Sequence, residues 1–75
     1  ITRIPYQLPE DTRVRITVYN LLGQEVITLV NEFQLAAYHT TVWNGRDAFG
    51  REVPSRVYIY RMETPSFHKT QKLVL

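Results

Sequence analysis

The sequence contains no cysteine and very few glycines, and both absences limit what the chain can be. Without cysteine among its 75 residues, the chain has no disulfide, no thiolate metal site and no cysteine nucleophile. The chain has only three glycines, whereas it has nine aromatic residues: one tryptophan, five tyrosines and three phenylalanines. Because aromatic and β-branched side chains suit a pleated, half-buried surface, this composition indicates strands.

Long apolar segments and clustered charges are also missing. No stretch approaches the roughly 20 apolar residues that cross a membrane. The net charge is +2, and among the scattered basic residues only Arg13 and Arg15 lie close together on one strand face. Since a phosphate-binding surface needs several cations along one stripe, we do not expect nucleic-acid binding. The missing apolar run likewise predicts no membrane insertion.

The length allows one small domain. A chain of this size buries about 60% of the surface that it exposes when unfolded, so we expect modest stability. Residues 1–3 begin within a strand-like alternation. We therefore expect residues 1–75 to form a single domain that is a fragment of a longer protein.

Period-two alternation is the dominant pattern. In the first strand one face holds Thr2, Ile4, Tyr6 and Leu8. Pro5 removes a hydrogen-bond donor from this strand, which predicts that it lies at a sheet edge. In the second strand the core-facing positions are Val14, Ile16 and Val18. The opposite face of that strand holds Arg13, Arg15, Thr17 and Tyr19.

Further strands are predicted at residues 26–30, 38–43, 56–62 and 67–75. Residues 31–35 are predicted as a loop or one helical turn, and residues 44–50 as a polar loop. An alternative is a helix over residues 20–37, whose apolar residues also fit a helical stripe. The favoured prediction is an all-β fold, an immunoglobulin-like antiparallel β-sandwich of about seven strands.

Five separate segments resemble a known bacterial pattern, in this order: TRIPYQLP (2–9), VYNLLGQEV (18–26), WNGRD (43–47), VYIYR (57–61) and KLVL (72–75). Together they resemble the type IX secretion C-terminal sorting domain, a family closely similar to the immunoglobulin-like domain of the flagellar hook-capping protein. Asn44 stands where the family usually has aspartate.

The resemblance implies a β-sandwich at the C-terminus of an exported protein, recognised by secretion machinery and then cleaved or kept as an anchor. Two glycines expected from the family are replaced by Ala37 and Arg56. A glycine lost from a turn with positive φ would cost about 1 kcal/mol or somewhat more. We therefore expect either a drifted module or one retained for structure.

Candidate metal sites are weak. His39 and His68 have no convergent partner at metal-binding spacing, so we interpret both as ordinary strand residues. The loop 44–50 superficially resembles a calcium loop, but Arg46 stands where a carboxylate is wanted. We expect instead that Asn44 or Asp47 bonds the backbone of its own turn. No metal and no cofactor is predicted.

Catalytic groups are equally sparse. Ser55 and Ser66 lack a neighbouring base and the sharp turn that carries a nucleophilic serine. The seven carboxylates are dispersed, and the chain is too short to add a deep pocket around them. We therefore predict that the chain is not an enzyme.

The aromatic residues allow two interpretations. Flat exposed rings stack on sugars, so an exposed Trp43 and Tyr38 would favour carbohydrate binding, whereas their burial would contradict it. The favoured interpretation places Trp43, Tyr58 and Tyr60 in the core, with the Tyr58 hydroxyl bonded back to a loop as a tyrosine corner. Tyr19 shares the Arg13 and Arg15 face, and we predict that it is accessible.

The favoured function is a non-catalytic module for secretion sorting or cell-surface attachment of an exported bacterial protein. Its partners would be secretion or attachment machinery, and the predicted contact residues are Arg13, Arg15, Tyr19 and Lys72. The first and last strands would carry the contact through their edges. Two alternatives remain: a structural module that associates with other copies of itself in a surface layer or filament, and a carbohydrate-binding accessory domain.

Overall fold

The computed structural model describes all 75 residues and contains six strands and no helix. The strands are β1 (Thr2–Leu8), β2 (Thr12–Tyr19), β3 (Glu25–Gln34), β4 (Ala37–Trp43), β5 (Val57–Glu63) and β6 (His68–Val74). The all-β prediction is confirmed, with six strands in place of about seven. No helix is present that could cross a membrane.

The strands form two antiparallel sheets that face each other as an immunoglobulin-like sandwich. The smaller sheet pairs β1 with β4, and the larger has the order β3-β2-β5-β6. The β1 strand has β4 on one side and no strand on the other, as its proline predicts, since Pro5 has no N–H to donate there. Four strand edges are therefore open, one on each of β1, β4, β3 and β6.

The β3 strand is longer than predicted. It continues through residues 31–34 and pairs with the first half of β2, where Phe33 lies opposite Arg13. The loop or helical turn predicted there is wrong, and so is the alternative helix over residues 20–37. Local spacing misled the prediction because the apolar residues of this segment fit either period, and pairing with β2 decides between them.

The core follows the predicted alternation. Nine of the ten buried hydrophobic residues form two groups, one of Leu8, Val14, Ile16, Val30 and Met62, and one of Val18, Trp43, Tyr58 and Leu73, and Ile4 is buried outside both. In the second group the Trp43 and Tyr58 rings meet edge to face, with centroids 5.1 Å apart. Truncating a fully buried aromatic side chain to alanine costs about 3–5 kcal/mol, so this pair contributes strongly to the fold.

Thr17 was predicted on the open face of β2 but is fully buried. Its strand is central, and its neighbours across the sheet are Thr28 on β3 and Arg61 on β5. The Thr17 and Thr28 hydroxyls are 3.3 Å apart and form a hydrogen bond. Thr17 therefore has neighbouring strands on both sides, and alternation within one strand does not reveal this.

Two turns depend on glycine. Gly23 has φ of 82° and Gly45 has φ of 77°, values that side chains with a Cβ rarely adopt. Ala37 and Arg56, which replace glycines of the resembled family, do not adopt positive φ. The expected cost of these replacements is therefore wrong, because neither position requires a left-handed backbone.

Candidate protein-contact surface

The open side of the four-stranded sheet, here called the outer face, brings together residues from strands that are distant in sequence. In one row across the sheet, Tyr19 lies opposite Ile59, and Ile59 lies opposite Lys72. In the row at the other end, Arg15 lies opposite Glu63. All four predicted contact residues lie on this face: Arg13, Arg15, Tyr19 and Lys72.

The charges of the outer face are loosely paired. Arg15 contacts Glu25 at 3.4 Å, and both side chains are about half exposed. Arg13 donates to the Asn31 side-chain oxygen at 3.3 Å. Because exposed ion pairs contribute little to stability, these groups remain available to a partner. Lys72 is exposed and makes no ion pair.

A shallow recess lies on the outer face at the end of β2, beside the turn that follows this strand. Its volume is about 330 Å³, and Tyr19, Ile59 and Arg61 line it together with the turn that follows β2. The Arg61 Nε is buried without a hydrogen-bond partner, and the nearest carboxylate oxygen, on Glu63, is 3.6 Å away. An apolar floor beside the partly exposed Arg61 side chain suits a partner side chain that combines an apolar stem with an acidic or carbonyl oxygen.

The turn after β2 presents two leucines at the edge of this face. The Asn20 side-chain oxygen accepts hydrogen bonds from the backbone N–H groups of Leu22 and Gln24, each at 3.0 Å. The Asn20 carbonyl accepts from the N–H of Gly23, also at 3.0 Å. These bonds hold the turn rigidly while Leu21 and Leu22 are 66% and 85% exposed. Because the turn is already ordered, a partner that binds the two leucines would cause little further loss of chain entropy.

The three aromatic residues predicted for the core lie as follows. Trp43 is fully buried, and its Nε1–H donates to the Arg46 carbonyl at 2.9 Å. Tyr58 is buried, and its hydroxyl donates to the Pro54 carbonyl at 2.6 Å, which is the geometry of a tyrosine corner. Tyr60 is half-buried, and burial raises the pKa of its hydroxyl.

The aromatic platform required for sugar binding does not form. Trp43 points into the core, whereas Tyr38 is 83% exposed on the other side of β4. The two rings therefore cannot present one flat surface, and the carbohydrate-binding alternative loses the residues on which it depended.

The loop 44–50 uses its oxygens internally, as predicted. Asn44 accepts from the Arg46 N–H at 3.1 Å, and an Asp47 oxygen accepts from the Phe49 N–H at 2.9 Å. Partial burial by itself raises the pKa of Asp47. Hydrogen bonds from the backbone of Arg51 and Phe49 and from the Arg51 side chain outweigh it, and the pKa lies below its ordinary value.

The remaining candidate groups are separated. His39 lies in β4, where its ring stacks on Tyr6 with centroids 5.3 Å apart, and His68 lies in β6 opposite Glu63. No group of three potential metal ligands occurs in the chain. No aspartate or glutamate lines any of the surface recesses.

Sequence reasoning did not identify Ile59, Arg61 or the two leucines of the turn as parts of this surface. Alternation in β5 placed Ile59 and Arg61 on the face opposite the core, which was the available signal. Their position beside Tyr19 comes from the pairing of β2 with β5, two strands that are far apart along the chain. No local pattern encodes that pairing.

Comparison with solved structures identifies one similar protein by fold. The crystal structure of FlgD from P. aeruginosa matches 96% of this chain with a TM-score of 0.75 and 27% sequence identity. The match covers 55% of the FlgD chain, so the present chain spans about half of its length. No protein-family model and no curated protein sequence matches the chain. The chain therefore has a FlgD-like fold.

Proposed function

We propose that this chain is a non-catalytic structural module of an exported bacterial assembly, and that its outer face contacts a partner protein. The likeness to FlgD, a flagellar hook-capping protein, over nearly the whole chain carries this proposal. The same likeness supports a cell-surface or extracellular setting.

The outer face supports a protein partner over a small ligand. It combines an aromatic ring, an apolar residue and cations across several strands, a composition that is common in protein interfaces. Arginine and tyrosine are also the residue types that most often dominate binding energy. Its basic side chains are Arg13, Arg15, Arg61 and Lys72, against the acidic Glu25 and Glu63. The preferred partner surface is therefore acidic, and binding should weaken as salt increases.

A chimera tests this function. In P. aeruginosa lacking FlgD, a FlgD whose matched region is replaced by these 75 residues is expected to be exported and to restore hook assembly. Adding Arg15→Glu and Tyr19→Ala should abolish the rescue, because both side chains lie on the outer face. The matched control is Arg3→Glu, because Arg3 is exposed on β1 in the other sheet and makes no ion pair. A chimera that is folded and exported yet builds no hook would contradict the proposal.

A second candidate is sorting by the type IX apparatus, which the five resembling segments favour. They form the β1 strand, the end of β2 with its turn, the start of the Trp43 loop, most of β5 and the end of β6. In a host with this apparatus, an inert cargo fused to the chain should reach the cell surface. Cargo that stays in the periplasm would count against sorting and leave the structural role as the remaining candidate.

A further inference from the structure

Two edges of the four-stranded sheet lie open at its opposite sides. The β3 strand pairs only with β2, and the β6 strand pairs only with β5. In an antiparallel ladder the backbone groups of a strand alternate between its two sides, so each edge strand keeps unpaired N–H and C=O groups. Such an edge is a template for another strand.

The two edges carry opposite charges. The β6 strand contains Lys69 and Lys72 and no acidic residue, whereas β3 contains Glu25 and Glu32 and no basic residue. Neither lysine nor Glu32 takes part in an ion pair, and Arg15 holds Glu25. Pairing of two β6 edges or two β3 edges would place like charges together, which is destabilising. Pairing of β6 with β3 joins opposite charges.

The strand directions also permit this pairing. Each strand of the order β3-β2-β5-β6 is antiparallel to its neighbour, so β3 and β6 run in opposite directions. A second copy in the same orientation, displaced along the sheet, therefore presents its β3 antiparallel to the first copy's β6. This contact uses two different surfaces of one molecule, so it repeats from copy to copy and produces a ring or an open filament.

The geometry of β3 selects a register. The Ala48 N–H donates to the Val26 carbonyl at 3.1 Å, so we take the free part of the β3 edge to begin at Ile27. Glu32 lies opposite Val14 and Lys69 opposite Met62, so both charged residues lie on the core-facing side of the sheet. Setting Lys69 against Glu32 of the next copy keeps core-facing residues opposite each other.

This register also places Leu73, which is buried and core-facing, opposite Ile27 of the next copy. The segment of β3 from Ile27 to Glu32 has one residue more than the segment of β6 from Lys69 to Leu73. The β-bulge of β3 between Thr28 and Val30 accommodates this extra residue. The pairing therefore joins the two cores at one end and forms an ion pair at the other.

We propose that the chain associates head to tail, with the β6 edge of one copy paired to the β3 edge of the next and Lys69 facing Glu32. This proposal rests on the structural role above and names a second copy as partner. The β1 edge is a poorer template, because Pro5 has no N–H to donate. The core-facing side of β6 at Lys69 and Gln71 is exposed, so no strand of the same chain obstructs the approach.

A charge-reversal mixing experiment tests the pairing. The purified 75-residue chain is compared with Lys69→Glu and Glu32→Lys by sedimentation velocity over a concentration series at low and high salt. Lys69 and Glu32 are both exposed, and tryptophan fluorescence verifies that each variant is folded. The matched control is Arg3→Glu, because Arg3 is exposed on β1 in the other sheet and makes no ion pair.

The wild-type chain should grow beyond a dimer as concentration rises, and less so at high salt. Each charge reversal alone should lower self-association by at least tenfold, whereas Arg3→Glu should change it much less. A 1:1 mixture of the two reversals should recover assembly, because every contact in an alternating chain of copies then joins opposite charges. Growth of a single reversal alone, or a mixture no better than its components, would overturn the pairing. A purely monomeric wild type would also overturn it, while leaving the outcome of the FlgD chimera unaffected.

Discussion

The hydroxyl of Tyr58 offers the sharpest test of how this small sandwich is stabilised. It donates to the Pro54 carbonyl at 2.6 Å and thereby ties the loop before β5 to the core. The substitution Tyr58→Phe removes this bond and keeps the ring against Trp43. Tyr60→Phe is the matched control, because Tyr60 is in the same strand and its hydroxyl donates to no protein group.

The expected loss for Tyr58→Phe is about 1 kcal/mol, the usual net contribution of a neutral hydrogen bond. A larger loss would require the Pro54 carbonyl to stay buried and unpaired, but Pro54 is exposed and water can replace the hydroxyl. In a domain of this size, 1 kcal/mol corresponds to a fall in Tm of about 4–8 °C. Tyr60→Phe should stay within about 0.5 kcal/mol of the wild type.

Urea denaturation measures both changes. Trp43 is the sole tryptophan and is fully buried, so its fluorescence reports unfolding of the core, and far-UV circular dichroism provides a second probe. The midpoint should fall for Tyr58→Phe while the denaturant slope stays constant, since the surface exposed on unfolding does not change. If Tyr58→Phe costs no more than Tyr60→Phe, the tyrosine corner does not contribute to stability and the argument fails.

Two further predictions concern the loops. Gly23 has φ of 82°, and the space that a Cβ would occupy there is open, so Gly23→Ala should cost about 1 kcal/mol through the backbone alone, and Gly23→Asn less, in thermal unfolding. Equal losses for the two variants would contradict a conformational cause. Because the pKa of Asp47 is lowered in the fold, its charge adds stability above pH of about 3.8 that is lost as the pH falls further. The stability gap between wild type and Asp47→Asn should therefore narrow below that pH, and a gap independent of pH would refute this linkage.

The resembling segments owe much of their pattern to folding requirements. Asn20 and Gly23 form the turn after β2, Trp43 fills the core, and Tyr58 closes the loop before β5. Residues that meet such requirements can recur in different proteins that use the same fold. This explains how the same segments can resemble a sorting domain while the structure resembles FlgD, and why the partner must be argued from the surface.

Alternation was a reliable guide wherever one face of a strand is buried and the other is open. It located β1, β2 and β5 and the core-facing positions Val14, Ile16 and Val18. Pro5 indicated an edge strand because a residue without an N–H group cannot donate to a second neighbouring strand. Alternation failed at Thr17, which is covered by neighbours on two other strands, and in the second half of β3, where the apolar spacing fits a helix as well.

The sequence by itself determined the fold class, most strand positions and the residues that fill the core, because these depend on local periodicity and side-chain size. Only the tertiary structure decided which strands are neighbours. The order β3-β2-β5-β6 places Tyr19 beside Ile59 and leaves an acidic and a basic edge at opposite sides of one sheet. Such features arise from hydrogen bonds between strands far apart in the chain, and the energy of those bonds depends on contacts that no local pattern records.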